Sequence, residues 1–237
     1  MNADLLRKSL ELSAITSEMK FECIMENQRV DINQLLRFLG KQGYTEELHN
    51  GKKPYSNFRI NLAIYGIVNL KLQPSQVINY LKWQEFEKFC LYVLEQHDFS
   101  CIRNFRFKRK KKRFEIDIVG IHQPYILCID AKLWRIRSGK SSALKKAVEK
   151  QIIRTKALSN VISKYIEKFH ISNWNYAFFI PILTTSMNEG IKAHKEVPII
   201  PFYQFNNFIA EFNKITDNLP QFKVKVPKCG VQTKLLF

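Results

Sequence analysis

Residues 114–132 read FEIDIVGIHQPYILCIDAK, a stretch in which acidic side chains interrupt two short apolar runs. The runs 114–121 and 125–131 are rich in Ile, Val, Leu and Phe, which is typical of strands. Gln123 and Pro124 lie between them and indicate a turn. The stretch therefore predicts a β-hairpin with charged residues on strands that are otherwise apolar.

The first strand of this hairpin carries two acidic side chains. Because successive side chains of a strand point to opposite faces, Glu115 and Asp117 are expected on the face opposite Ile116 and Ile118. Burying acidic side chains without partners costs several kcal/mol, so an apolar strand seldom carries them without a function.

The second strand carries Asp130 and Lys132, which the same alternation places opposite Ile129 and Ala131. Since the two strands are neighbours in a hairpin, Asp117, Asp130 and Lys132 are expected to converge. Two carboxylates suit a hard cation such as Mg²⁺, and an adjacent lysine can orient or deprotonate a water molecule. A buried salt bridge that only supports the sheet is the alternative interpretation.

The positive charge of the chain is concentrated around this hairpin. The chain holds 38 Lys and Arg against 21 Asp and Glu, a net charge of +17. Residues 101–156 alone hold 17 basic and 4 acidic residues, a net +13, whereas residues 1–80 have a net +2. A field of this size favours a polyanionic partner, and the apolar content of 46% excludes a disordered chain.

Outside the hairpin, the pattern alternates between strands and helices, which predicts an α/β domain with a mixed sheet and helices on both faces. The expected strands are 101–107, 114–121, 125–131, 176–183 and 197–201. The expected helices are 83–97, 142–169, 188–194 and 205–212. The helix 142–169 is long enough to be the crossover of a parallel connection.

Three regions are predicted along the chain: a helical domain over 1–81, an α/β domain over 82–213 and a basic, irregular tail over 214–237. Helices are expected at 3–12, at 30–39, at 58–70 and from Pro74 to Leu81. A helix-turn-helix unit that reads DNA and a packing or dimerisation module both remain open for this domain. Its near-neutral charge favours the second.

Neither the cysteines nor the start of the chain indicates secretion. Five cysteines without a CxxC pair support neither a disulfide scaffold nor a zinc site. The start MNADLLRKSLELS lacks an unbroken apolar segment, and no apolar run is long enough to span a bilayer. We expect an intracellular, cytoplasmic protein, associated with the nucleoid and not with a membrane.

Over residues 83–212 the sequence resembles the PD-(D/E)XK nuclease superfamily, with the closest likeness to Mrr-like restriction enzymes and archaeal Holliday-junction resolvases. The family's helix-borne glutamate matches Glu87, its metal-binding aspartate matches Asp117, and its acid-x-lysine motif matches Asp130-Ala131-Lys132. Ile116 stands where the family name has proline, and Asp130 where glutamate is commoner.

This resemblance implies a restriction-endonuclease-like fold and a metal-dependent endonuclease that hydrolyses phosphodiester bonds in DNA. Asp117, Asp130, Lys132 and Glu87 are the implied catalytic residues, and the three carboxylates among them are the implied ligands of Mg²⁺ or Mn²⁺. A nuclease-fold protein or subunit that binds nucleic acid without cutting is the alternative. The sequence does not distinguish an RNA substrate from a DNA substrate. A homodimer is expected, since cutting two strands favours a two-fold assembly.

Secondary roles are assigned to Glu115, as a ligand or ion-pair partner, and to Gln151, where some family members carry a glutamine that contacts the site. Two basic segments flank the acidic residues and predict a groove that grips phosphates. Its predicted nucleic-acid-binding residues are Lys108, Arg109, Lys110, Lys111, Lys112, Arg113, Arg135, Arg137, Lys140, Lys145 and Lys146.

Overall fold

The computed structural model describes residues 6–7, 10, 58–73, 76–77, 80–132, 140–186 and 190–227. The strands in these ranges are β1 (Ser100–Arg109), β2 (Lys112–His122), β3 (Tyr125–Lys132), β4 (Tyr176–Thr185), β5 (Ala193–His194), β6 (Val197–Pro201) and β7 (Phe222–Lys225). The α-helices in the same ranges are α1 (Phe58–Val68), α2 (Trp83–Gln96), α3 (Lys140–Ser159), α4 (Phe202–Ala210) and α5 (Phe212–Ile215).

The strands form one mixed sheet in the order β1-β2-β3-β4-β6-β5, with β7 paired to β4. The first three strands are antiparallel neighbours. The connection through α3 then brings β4 parallel to β3, and β6 lies parallel to β4. The predicted α/β class, a mixed sheet flanked by helices, is confirmed.

The sheet separates two apolar cores. On one face, α2 and α4 pack together, and the rings of Phe86 and Phe202 lie 5.8 Å apart between their centroids. On the other face, α3 and the turns that follow it cover the sheet, and the ring centroids of Phe105 and Phe169 lie 5.1 Å apart. We call these the α2-side core and the α3-side core.

The first three strands agree with the sequence prediction to within a few residues. The runs expected at 101–107, 114–121 and 125–131 are β1, β2 and β3, each slightly longer than predicted. The turn between β2 and β3 lies at Gln123 and Pro124, as expected.

Two predicted helices differ from the structure. The helix expected over 142–169 ends at Ser159, and turns and a short 3₁₀ segment (Ile162–Lys164) follow. Ile166 and Phe169 are buried in the α3-side core from these turns, so apolar spacing over this stretch does not require a helix. The helix expected over 205–212 begins at Phe202, directly after Pro201, and is interrupted at Glu211.

The helix expected over 188–194 is wrong for the described residues 190–194. Ala193 and His194 form β5, which pairs with β6. Lys195 and Glu196 between the two strands have φ angles of 49° and 64°. Positive φ at both central residues is the geometry of a tight two-residue hairpin turn, and neither residue type signals it in sequence.

The expectation of an irregular tail from residue 214 is also wrong for the described residues. α5 extends to Ile215, and β7 pairs antiparallel with the first half of β4. Phe222 and Val224 alternate along β7 and pack against the α3-side core. The physical reason is that the first half of β4 offers an edge to which a short alternating strand can add.

Of the predicted N-terminal helices, the one expected over 58–70 is confirmed as α1. The helices expected at 3–12, 30–39 and from Pro74 lie largely or wholly outside the described residues. Arg59 links α1 to α2, since its Nε lies 2.6 Å from Glu85 Oε1. None of the helices in the described ranges has both the length and the apolar character needed to cross a membrane.

The alternation of faces along β2 reverses at Asp117. Ile116 packs in the α3-side core, whereas Ile118, two residues later, packs in the α2-side core. The ladder between β1 and β2 leaves out Asp117 and the opposing Asn104, whose φ is 51°. The prediction that Ile116 and Ile118 share a face is therefore wrong, because the ladder is interrupted where Asp117 lies opposite the left-handed Asn104 and the period of two along β2 does not continue through this interruption.

We predict that the central strand limits the stability of the fold. Ile129 on β3 is fully buried in the α2-side core, so Ile129→Ala should lower the free energy of unfolding by about 2–5 kcal/mol. Urea unfolding followed by circular dichroism measures this change. Ile153→Ala on the exposed surface of α3 is the control, with a loss below about 0.5 kcal/mol. Equal losses in the two variants would contradict the assigned core.

Candidate functional site

The site begins where β2 and β3 separate. Their ladder runs from the His122–Tyr125 end of the hairpin to the pair Ile118 and Ile129. Beyond that pair, the backbone N–H of Ala131 donates to Asp117 Oδ2 at 3.0 Å. A side-chain carboxylate thus takes the place of a strand carbonyl as the acceptor, and the two strands diverge around it.

Asp130 lies on β3 beside this opening, and its side chain is 1% exposed. Its Oδ1 accepts hydrogen bonds from Lys132 Nζ at 2.9 Å and from Arg154 Nη1 of α3 at 2.7 Å. Its Oδ2 is buried without a hydrogen-bond partner. Two cations therefore offset one buried carboxylate, which would otherwise be strongly disfavoured.

Lys132 connects the two aspartates. Its Nζ lies 2.9 Å from Asp130 Oδ1 and 3.8 Å from Asp117 Oδ2. Its side chain remains 30% exposed, so the amine can also be reached from solvent. The structure thus brings Asp117, Asp130 and Lys132 together at one point, the convergence that the sequence predicts.

The pKa of Asp117 is raised to about 6. Burial is the main cause, and the negative charge of Asp130 adds to it. The positive charge of Lys132 and the hydrogen bond from Ala131 lower the pKa and only partly offset these effects. Asp117 is therefore a carboxyl group that gains or loses its proton near neutral pH.

Glu87 reaches the sheet from α2 and is fully buried. Its Oε2 accepts hydrogen bonds from Arg103 Nη2 at 2.8 Å and Nε at 3.1 Å. Burial raises the pKa of Glu87, while Arg103 lowers it. Glu87 thus points inward, as expected, but its charge is balanced by an arginine of β1.

Among the described residues, the carboxylates of the site form a pair, Asp117 and Asp130, and not a group of three. Within the part of the chain that the structure describes, no group of three His, Cys, Asp or Glu side chains is close enough to hold a metal ion. The predicted cluster of Glu87, Asp117 and Asp130 is thus not assembled. The pair Asp117 and Asp130 still supplies oxygen donors of the kind Mg²⁺ prefers, including the unpartnered Oδ2 of Asp130. These residues fit a hard cation that keeps most of its water ligands.

The two residues assigned secondary roles lie apart from this pair. Glu115 is on the surface, where its Oε2 lies 2.8 Å from Arg106 Nε. Gln151 is buried in α3, and its Nε2 donates to the carbonyl of Cys128 at 2.7 Å. Glu115 thus adopts the ion-pair alternative of its prediction, and Gln151 fastens α3 to the strand that carries Asp130.

The predicted nucleic-acid-binding residues fall into three groups. The run 108–113 forms the exposed tip of the β1–β2 hairpin, with Lys110 and Lys111 at its turn. Lys145 and Lys146 are exposed on α3. Arg135 and Arg137 lie outside the described residues, and Lys140 is described only by its backbone, as the first residue of α3.

Sequence reasoning missed Arg154 and Arg103, which bind the two most deeply buried carboxylates. Arg154 lies three residues after Gln151 on α3, so both share a helix face toward the sheet. Arg103 lies on β1 one residue before the left-handed Asn104. The helical spacing from Gln151 could have predicted that Arg154 faces the sheet. No regular alternation could have predicted the direction of the Arg103 side chain, because the backbone next to it is irregular.

Comparisons with known proteins agree with this arrangement. Residues 82–181 match the family profile of NERD, a nuclease-related domain with a PD-(D/E)XK-like nuclease fold. The matched segment contains Glu87, Asp117, Asp130 and Lys132. This part of the chain is therefore similar to a nuclease-related domain.

Two similar proteins have names that state no activity. An uncharacterised protein of Archaeoglobus fulgidus is 29% identical over 133 residues, which cover 56% of this chain and 93% of that protein. A crystal structure of a protein of unknown function covers 42% of this chain, with 17% identity and a TM-score of 0.27. The chain spans 46% of the length of that structure.

The raised pKa of Asp117 predicts that the contribution of this group to folding stability falls as the pH rises from 3.8 to about 6. In this interval the unfolded chain has released a proton that the folded protein still holds at Asp117, so acid favours the folded state. Asp117→Asn removes this titration. We expect its Tm to decrease less than that of the wild type between pH values of about 4 and about 6.5.

Thermal unfolding in EDTA across this pH range measures the difference between the two proteins. A second measurement is the side-chain carbon chemical shift of Asp117, which should titrate near pH 6. Parallel Tm profiles for variant and wild type would contradict the assigned environment of Asp117.

Proposed function

We propose that this protein is a metal-dependent endonuclease that hydrolyses phosphodiester bonds in DNA. The observation that carries the proposal is the meeting of Asp117, Asp130 and Lys132 where β2 and β3 separate. Two carboxylates and a lysine at one partly exposed point have the composition that phosphodiester hydrolysis needs. The match of this segment to a nuclease-related domain supports the same chemistry.

Asp117 and Asp130 would hold Mg²⁺ or Mn²⁺ through their carboxylate oxygens. When bound, such an ion lowers the pKa of a water molecule and neutralises charge on the phosphate. The raised pKa of Asp117 implies that binding is favoured as this carboxyl loses its proton above about pH 6. Glu87, whose charge Arg103 balances, would support the site electrostatically from α2.

Lys132 would act on the attacking water and on the phosphate. Its Nζ reaches both aspartates and remains accessible to solvent. From there the amine can orient an attacking water and donate a hydrogen bond to a phosphate oxygen. A charged donor aimed at the place where negative charge develops lowers the barrier of the chemical step.

DNA is the substrate class that we propose, on the basis of the exposed cations at the hairpin tip and on α3. The likeness to Mrr-like enzymes and Holliday-junction resolvases leads us to propose structure-selective or restriction-type cleavage. We further propose that the protein acts as a homodimer in the cytoplasm, because two copies can cut both strands of a duplex.

A nuclease-fold protein that binds nucleic acid without cutting is a second candidate, and one observation favours it. Asp130 Oδ1 is already bound by Lys132 and Arg154, and the carboxylates of the described residues do not form a group of three. A permanently paired Asp130 would make the cluster a structural salt bridge. This candidate predicts binding of DNA that EDTA leaves unchanged and no cleavage at any metal concentration.

We predict that Asp130→Asn lowers Mg²⁺-dependent cleavage by at least about 100-fold, because it removes a carboxylate of the proposed metal site. Plasmid, branched and flapped DNA are the substrates, with EDTA and re-added Mg²⁺ or Mn²⁺ as reference conditions. Glu211→Gln is the matched control, since it changes an exposed carboxylate that pairs with Lys214.

The two candidates give different results in this assay. The nuclease requires wild-type cleavage that EDTA stops and Mg²⁺ restores, with Glu211→Gln unaffected. Full activity of a folded Asp130→Asn variant would refute the proposed site. Metal-independent DNA binding without cleavage of any substrate would establish the second candidate.

A further inference from the structure

A cavity of about 840 Å³ lies between the distal half of the β1–β2 hairpin and helix α3. We call it the hairpin cavity. Its lining is dominated by cations, which are Arg106, Lys108, Lys112, Arg113, Lys150 and Arg154. The cations thus combine residues of β1 and β2 with two basic residues of α3 that lie far away in sequence.

The positive charge of the hairpin cavity is largely uncompensated within its own walls. Glu115 is the acidic residue among the described lining residues, and it pairs with Arg106 at 2.8 Å. Like charges gathered around one space repel each other, and a polyanion relieves that repulsion. The charge therefore favours a phosphate-bearing ligand.

The hairpin cavity also has an apolar wall, which phosphate contacts alone do not require. Ile153 of α3 lines it and is 53% exposed. The half-buried ring of Phe114 lines it as well, with Lys112 Nζ 5.3 Å from the ring centroid. If this amine moves to a phosphate, the ring is uncovered for contact with a base. Apolar and aromatic surface beside cations suits a strand whose bases are unpaired, because a duplex hides its base faces.

Arg154 connects the hairpin cavity to the candidate active site. It lines the cavity and at the same time donates to Asp130 Oδ1 at 2.7 Å. A strand held in the cavity therefore lies within the length of one arginine side chain of the carboxylate pair. Phosphates next to the reacting one would meet Arg154 first.

We propose that the hairpin cavity is a binding subsite for an unpaired DNA segment that flanks the phosphate to be cut. The cations hold its backbone, and Ile153 and Phe114 contact its bases. Its place beside Asp130 as a flanking subsite rests on the proposed nuclease function, whereas its preference for unpaired DNA rests on the cavity lining alone. The protein would accordingly act on DNA with flaps, gaps or frayed ends.

The first test measures the charge contribution by fluorescence anisotropy in EDTA, with a labelled single-stranded oligonucleotide and a hairpin duplex of equal length. Lys150→Gln should weaken single-strand binding and reduce the slope of log K against log salt by about 0.7, the loss of one phosphate contact. Lys225→Gln is the control, an exposed lysine of β7 outside the cavity, and should leave both quantities unchanged.

The second test measures the apolar contribution. Ile153→Ser should weaken single-strand binding by about threefold or more while the salt slope and duplex binding stay at their wild-type values. Val68→Ser is the matched control, since Val68 is an exposed apolar residue on α1. Both substituted side chains are exposed, so the variants are expected to remain folded.

Wild-type single-strand affinity in both Lys150→Gln and Ile153→Ser would overturn the proposal. An equal loss of single-strand and duplex affinity in Ile153→Ser would overturn it too, because it would show that the cavity does not recognise unpaired bases. These binding assays do not depend on cleavage. A failure of the Asp130→Asn cleavage test therefore leaves the preference for unpaired DNA standing, and a failure here leaves the nuclease proposal standing.

Discussion

The hydrogen bond from the Ala131 backbone to Asp117 is the interaction on which the candidate site depends. This hydrogen bond lies just past Ile118 and Ile129, the last paired residues of β2 and β3. In a continuing hairpin the Ala131 N–H would donate to a backbone carbonyl, and here the Asp117 carboxylate accepts instead. The same position is where Asp117 and Asn104 leave the β1–β2 ladder and the faces of β2 reverse. One irregular point therefore opens the sheet and directs a carboxylate into the opening. A regular hairpin would seal this space.

The charges at the opening are nearly balanced, and this balance suits a site that exchanges ligands. Asp130 is held by Lys132 and Arg154, and its second oxygen has no hydrogen-bond partner. Both cations have partly exposed side chains, so each can leave the carboxylate for solvent or for a phosphate. On the proposed function, a cation bound by the aspartates would release Lys132 and Arg154 toward the substrate. The ion pairs seen here would then be the resting partners of groups that act on DNA.

The sequence was sufficient to predict the structural features that depend on local pattern. The apolar runs around Asp117 and Asp130 predicted β2 and β3, and the charged residues within them predicted the convergence at Lys132. Features that depend on tertiary contacts or on backbone irregularity were missed. Arg154 reaches Asp130 across 24 positions of sequence. Asparagine tolerates a left-handed backbone better than most residues do, but its type alone does not predict that conformation inside a strand, as found at Asn104. The sequence does not predict β7, because its short alternation indicates a strand only beside the free edge of β4.

The distribution of charge gives the two faces of the sheet different roles. On the α2 side, Arg103 pairs with the buried carboxylate of Glu87, and this ion pair offsets its charge although its side chain is 35% exposed. On the α3 side, cations of the hairpin and of the helix surround a space that holds one acid, itself already paired. The lining of the hairpin cavity, on the α3 side, therefore carries a net positive charge that can attract a polyanion. On the proposed function, a polyanion that enters the hairpin cavity would meet Arg154, whose other partner is Asp130. The hairpin cavity and the carboxylate pair thus share one residue of α3, Arg154.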